Sequence, residues 1–80
     1  MEKMLYPAKI TKTNEGSYII SFRDVPEALT EVWNETDIEK YALDALLTSI
    51  KFYKERNISF PKPSKIQDDE IFIAIPQGNV

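Results

Sequence analysis

The side chains here that could do acid-base or metal chemistry are carboxylates, with Asp24, Asp44, Asp68 and Asp69 the candidates by type. A nuclease or glycosidase needs such groups brought together, one to hold a metal or a proton and another to activate water. The spacing argues against that. Asp68 and Asp69 fall in a polar turn before an apolar run, where solvated loop acids are usual, and Asp44 lies on the polar side of a helical pattern within reach of Lys40. The chain has no His and no Cys, which removes the imidazole base, the thiolate zinc site and the disulfide together. No nucleophile elbow, phosphate-cradling glycine loop or calcium-loop pattern occurs. The expectation is a protein without catalytic residues, metal or cofactor.

What the acids do instead is cluster. From Arg23 to Glu39 there is one cation against six anions (Asp24, Glu27, Glu31, Glu35, Asp37 and Glu39), a net charge of −5 in a chain whose total is −3. The remainder is slightly basic. An overall acidic balance, with a pI near 4.9, argues against unaided binding of nucleic acid, which draws on clustered Lys and Arg. It suits an encounter with a basic protein.

The elements that position this window follow from periodicity. Tyr6, Ala8 and Ile10 alternate with Lys9 and Thr11, the pattern of a half-buried strand, with Pro7 suited to its first residue or to a sheet edge. Thr13-Asn14-Glu15-Gly16 supplies turn chemistry, with Asn14 tolerating positive φ and Gly16 adopting it. A second strand, Tyr18 to Phe22, completes a hairpin. After the Val25-Pro26 step, Thr30, Val32 and Trp33 favour a third strand.

A helix start follows, capped either by Asn34 or by Thr36, and both place acids in the first turn. Ile38, Tyr41, Ala42, Ala45, Leu46, Ser49, Phe52 and Tyr53 recur at the spacing of one buried helix face. Lys51, Lys54 and Arg56 crowd its last turn, and Asn57 is a plausible cap. A second stripe, Leu43, Leu47 and Ile50, widens the apolar arc beyond what one sheet face needs and is assigned to self-association. The two prolines of Ser59 to Lys65 carry an extended surface return, and Glu70 to Pro76 reads as a closing apolar strand. The expected fold class is α+β, order βββαβ, an antiparallel sheet packed on one helix.

Two aromatic readings bear on function. Tyr18 and Phe22 on a strand resemble a base-stacking platform, but their acidic neighbourhood and the element order favour core packing. Trp33 stands among Glu31, Asn34 and Glu35, as either ordinary packing or an interface anchor. Eighty residues make one domain with a thin stability margin, which a partner or second copy would widen. The N-terminus has no apolar signal region and no run long enough to cross a membrane, so a soluble cytoplasmic protein is expected.

Taken in order, Tyr6-Pro7, Glu15-Gly16-Ser17-Tyr18, Asp24 to Thr30, Asp44 to Tyr53, Pro61 to Ser64 and Ile71 to Pro76 resemble the recurring features of the HicB family of antitoxins. The resemblance spans about residues 5 to 76. It departs from the family where Glu31-Val32-Trp33 replaces a segment that commonly carries Gly. It implies a partial RNase H-like fold without the nuclease's carboxylate cluster. It also implies a partner, a small basic HicA-type toxin that cleaves mRNA, whose RNA-binding surface and active site the domain would cover.

Asp24, Glu27, Glu31, Trp33 and Glu35 are the expected toxin-facing residues, and a homo-oligomer, dimer or larger, is expected through Leu43, Leu47 and Ile50. Residues 1–76 would form the toxin-binding domain and 77–80 a frayed tail, with no helix-turn-helix or ribbon-helix-helix domain after Pro76 and hence no DNA binding. Two rivals remain in view. One is an RNase H-type nuclease, which would need carboxylates on its first and last strands. The other is an adaptor that pairs with a partner along a sheet edge.

Overall fold

The computed structural model describes residues 4–76. Strands β1 (Met4–Lys12), β2 (Tyr18–Ser21) and β3 (Thr30–Val32) precede a 3-10 turn over Glu35–Asp37, the helix α1 (Ile38–Glu55) and a last strand β4 (Glu70–Ile75). All pairings are antiparallel and the strand order is β3-β2-β1-β4, so β3 and β4 are the two edges. This is the βββαβ, α+β architecture expected from the pattern, and the expected tail over 77–80 lies outside the described residues.

The alternation along the strands decides which face α1 covers. Tyr6, Ala8, Ile20, Val32, Ile73 and Ile75 are buried on one face beneath Ala42, Leu46 and Ile50 of the helix. Val25 and Ala28, in the turn after β2, join the same core. Ser49, a polar residue on the buried helix face, satisfies its hydroxyl by donating to the Ala45 carbonyl at 3.0 Å.

The hairpin forms as its sequence dictates: Gly16 takes φ +95°, and Thr13 and Ser17 exchange backbone and hydroxyl bonds across the turn. Asn14 stays at negative φ. Asn34 caps the 3-10 turn, its side chain accepting from the Thr36 amide and hydroxyl, while α1 itself starts from Asp37 with no side-chain cap bond, so neither expected cap, Asn34 nor Thr36, is the cap of α1. At the other end Asn57 takes φ +56°, and the amides of Asn57 and Ile58 reach back to the carbonyls of Lys54 and Tyr53 at 3.1 and 3.0 Å. That pair of bonds is a Schellman closure.

Three expectations need correction. Pro7 sits inside β1, opposite Phe72, not at the start of a strand or on an edge. It is tolerated because β2 pairs with β1 only from Lys9 onward, so the missing N–H faces a side with no ladder to break. Ile50, expected on the outer helix stripe, is only 4% exposed and belongs to the core. Tyr41 and Phe52, expected on the buried face, are 41% and 40% exposed. The buried set Ala42, Leu46, Ser49 and Ile50 defines an arc centred to one side of the line through Tyr41.

Pro7 also fixes the polarity of the β4 edge. Having no N–H, it cannot exchange bonds with Phe72, so the hydrogen-bonded pairs of the β1–β4 ladder are Tyr6–Ile73 and Ala8–Ile71. The amide and carbonyl of Phe72 and Ala74 therefore point outward. The same alternation carried through β2 leaves Glu31 as the one residue of β3 with outward main-chain groups.

Candidate protein-binding surface

The acidic window leaves β2 at Arg23, turns through Val25 and Ala28, forms the β3 edge and ends in the first turn of α1. Burial of Val25 and Ala28 pins the turn and holds the intervening Glu27 at the surface. The window then divides into two parts with different work.

In the first part the carboxylates are engaged within the chain. Asp24 accepts from the Ser64 amide at 2.8 Å and from its hydroxyl at 2.7 Å. Arg23 donates in a forked pair to Glu70, at 2.8 and 3.0 Å, and also to the Ser64 hydroxyl and the Lys65 carbonyl. The Gln67 amide donates to the same Glu70 carboxylate at 2.8 Å. This clasp ties the exit of β2 to the proline-rich return and to the start of β4. The hydrogen bond from Arg23 holds the Glu70 carboxyl below the usual carboxylate range, with the Gln67 amide adding to it and desolvation opposing.

Glu27 accepts from the Tyr53 hydroxyl at 2.9 Å, and that bond pushes the phenol's pKa up. Tyr53 in turn meets Phe60 edge to face, and Phe60 meets Tyr6, whose hydroxyl donates to the Pro61 carbonyl at 2.6 Å.

The second part faces out. Trp33 is 66% exposed, the most exposed large apolar side chain among the described residues. With Glu31, Val32, Asn34, Asp37 and Tyr41 it lines an open cleft of about 360 Å³. Glu31 accepts from the hydroxyl of buried Ser17, which orients its carboxylate, and Glu35 is exposed at the start of the 3-10 turn. Tyr41 continues into a smaller cleft of about 270 Å³ with Lys40, Leu43, Asp44 and Leu47. Two aromatic rings among carboxylates form a surface suited to the ammonium and guanidinium groups of a basic partner.

Of the five expected contact residues, the fold therefore brings Glu31 and Trp33 together in one cleft, leaves Glu35 exposed outside its lining, and sets Asp24 and Glu27 apart as internal hydrogen-bond acceptors. Tyr41 was missed. It sits at the margin of the helix's buried arc, where apolar periodicity alone does not separate core from rim. The stripe expected to mediate self-association reduces to Leu43 and Leu47, both half-buried against the core, because Ile50 lies inside it. Among the described residues no three His, Cys, Asp or Glu side chains are placed to hold a metal ion, and no helix is long and apolar enough to cross a membrane.

Residues 5–78 match the sequence pattern of the HicB-like antitoxins of bacterial toxin-antitoxin systems. The chain belongs to that family. Antitoxin HicB of Escherichia coli K12 is 42% identical over 73 residues, covering 91% of this chain and 53% of the relative. Antitoxin HicB 1 of Photorhabdus laumondii is 36% identical over 75 residues, covering 94% of this chain and 48% of its own length. A second protein of that organism, Antitoxin HicB 2, is 35% identical over 75 residues. The chain spans about half the length of the curated relatives it matches. As a HicB-like domain it carries the four-stranded antiparallel sheet and single helix described above, with the acidic cleft formed from β3 and the helix start.

Proposed function

We propose that this HicB-like domain acts as a non-enzymatic antitoxin module that binds a HicA-type mRNA interferase toxin and covers the basic surface the toxin uses to hold RNA. The observation that carries the reading is the pairing of a −5 window with an exposed tryptophan at its centre. A toxin that grips phosphates must display Lys and Arg, and Glu31 and Asp37 beside Trp33 and Tyr41, with Glu35 exposed in the 3-10 turn, offer those groups both counter-charge and aromatic faces. Asp24 and Glu27 contribute to the field at longer range while holding the fold. The family's antitoxin character supports the same reading. The module works in the cytoplasm and touches no nucleic acid itself.

Titration calorimetry against a catalytically inactive HicA-type toxin at two salt concentrations tests this. Tight binding that weakens as salt rises is the expected result, because exposed charges more than about 8 Å apart are screened at physiological ionic strength. Absence of binding at both salts would overturn the reading, and salt-independent binding would remove the charge mechanism.

A further inference from the structure

We propose that the outer edge of β4 pairs with β4 of a second copy of the chain, antiparallel about a two-fold axis at Phe72, to give an eight-stranded sheet. The observation behind this is the register Pro7 imposes. Phe72 and Ala74 turn their amides and carbonyls away from β1, and no described strand receives them. The outward set Glu70, Phe72 and Ala74 maps onto itself when a copy is laid antiparallel with Phe72 opposite Phe72. The two Phe72 residues would exchange both bonds, and each Ala74 amide would reach the Glu70 carbonyl of the copy. The Glu70 amide is already given to Gln67.

Side chains agree with this register. The strand from Ile71 to Ile75 has no charge, and Phe72 and Ile71 are 44% and 43% exposed, unusual for an edge that is to stay single. Pairing sets Phe72 against Phe72 on the open face and Ile71 beside Ile73 on the helix face.

Charge selects the occupant. A basic partner finds no carboxylate along Ile71 to Ile75, whereas a second copy brings an equally neutral strand. The acidic edges, each on β3 at the far side of its own sheet, would lie roughly 30 Å apart across the joined sheet, several screening lengths. Both clefts beside Trp33 stay open in such a dimer, which is independent of what they bind.

Sedimentation velocity of the chain from micromolar to about millimolar concentration, the range set by a marginal interface, tests the pairing. The expected result is a monomer–dimer equilibrium. Ala74→Pro removes an amide that the β1 ladder does not use, and Phe72→Lys places like charges opposite each other. Each should raise the dimer dissociation constant by at least about tenfold, while Leu47→Glu on the helix stripe leaves it unchanged. Hydrogen exchange of the unsubstituted chain provides a second readout, in which the Phe72 and Ala74 amides gain protection as concentration rises. A chain monomeric throughout, a dimer indifferent to both β4 substitutions, or one dissociated by Leu47→Glu would overturn the proposal. Toxin titration of the two β4 variants, Ala74→Pro and Phe72→Lys, should match the unsubstituted chain, so failure here is separable from failure of the antitoxin reading.

Discussion

At the β3 edge the sheet offers a neighbour one outward-facing residue, Glu31, in a strand of three; at the β4 edge it offers Phe72 and Ala74 in an uncharged apolar run. Both edges carry main-chain groups that no described strand pairs, yet their sequences treat them oppositely. β3 is short and charged, and it is followed within two residues by a capped turn, all features that discourage strand addition. Glu31 would there oppose the Glu31 of a copy. The lesson is a division of labour: the edge that refuses strands is the one whose side chains are arranged for recognition, and the edge that lacks recognition chemistry keeps its backbone available.

The largest effect that sharpens this contrast comes from two neighbours on β4. Ile73, 1% exposed, faces the helix, and Ile73→Ala should cost about 2–5 kcal/mol of unfolding free energy. Phe72→Ala, measured in dilute monomer, should cost well under half as much because its ring lies half out in solvent. Denaturant melts of the two variants check this, and equal losses would mean that Phe72 is packed in the single chain.

At the other edge, Trp33→Ala should leave the melt within about 0.5 kcal/mol of the unsubstituted chain. It should also weaken toxin binding by about 2 kcal/mol or more, as expected of a central aromatic anchor. Calorimetry gives the second number, and a loss of stability without loss of affinity would reassign Trp33 to packing.

A smaller effect is expected from charge. Glu31→Lys with Glu35→Lys should slow toxin association by about tenfold at low salt and by less at high salt, read by stopped-flow mixing. Glu27→Gln should change association less. If Glu27→Gln proves the more damaging, the docking face lies over the Tyr53 side of the window.

The smallest effect belongs to the clasp. The Glu70 carboxyl is held below its ordinary value mainly by the hydrogen bond from Arg23. The unfolded chain, whose Glu titrates near about 4.3, therefore binds more protons than the folded one in the acid range. The clasp's contribution is in place above that pH and is lost as pH falls through the lower folded value. The protection factor of the Gln67 amide, which donates to Glu70, should fall over that acid window, and Arg23→Ala should abolish the pH dependence. An acid transition unchanged in Arg23→Ala would place the titrating group elsewhere.

Much of this architecture was legible in the residues. The alternation in Tyr6, Ala8 and Ile10, the turn ending in Gly16 and the cap at Asn57 are local signals, and local signals survived folding. The acidic address of the surface was legible as well. What escaped were facts of pairing between distant segments. Asp24 and Ser64 are 40 positions apart and Arg23 and Glu70 are 47, so no window of sequence shows that two of the acids would be drawn into holding the return segment. Tyr41 and Ile50 traded places for a related reason. Helical periodicity gives the width of an apolar arc, and the sheet beneath decides where its centre falls.

The sheet order also sets a timetable. Met4 pairs with Ile75, so the first described strand made on a ribosome waits for the last before its ladder can close. The hairpin and the helix can form as they emerge, but Ile73 and Ile75, which complete the floor under Leu46, arrive at the end. Closing so long a loop carries an entropic cost that nothing local repays beforehand. Until then a growing chain displays its carboxylates on a scaffold that has not yet locked, and its competence as a binding surface begins with the synthesis of β4.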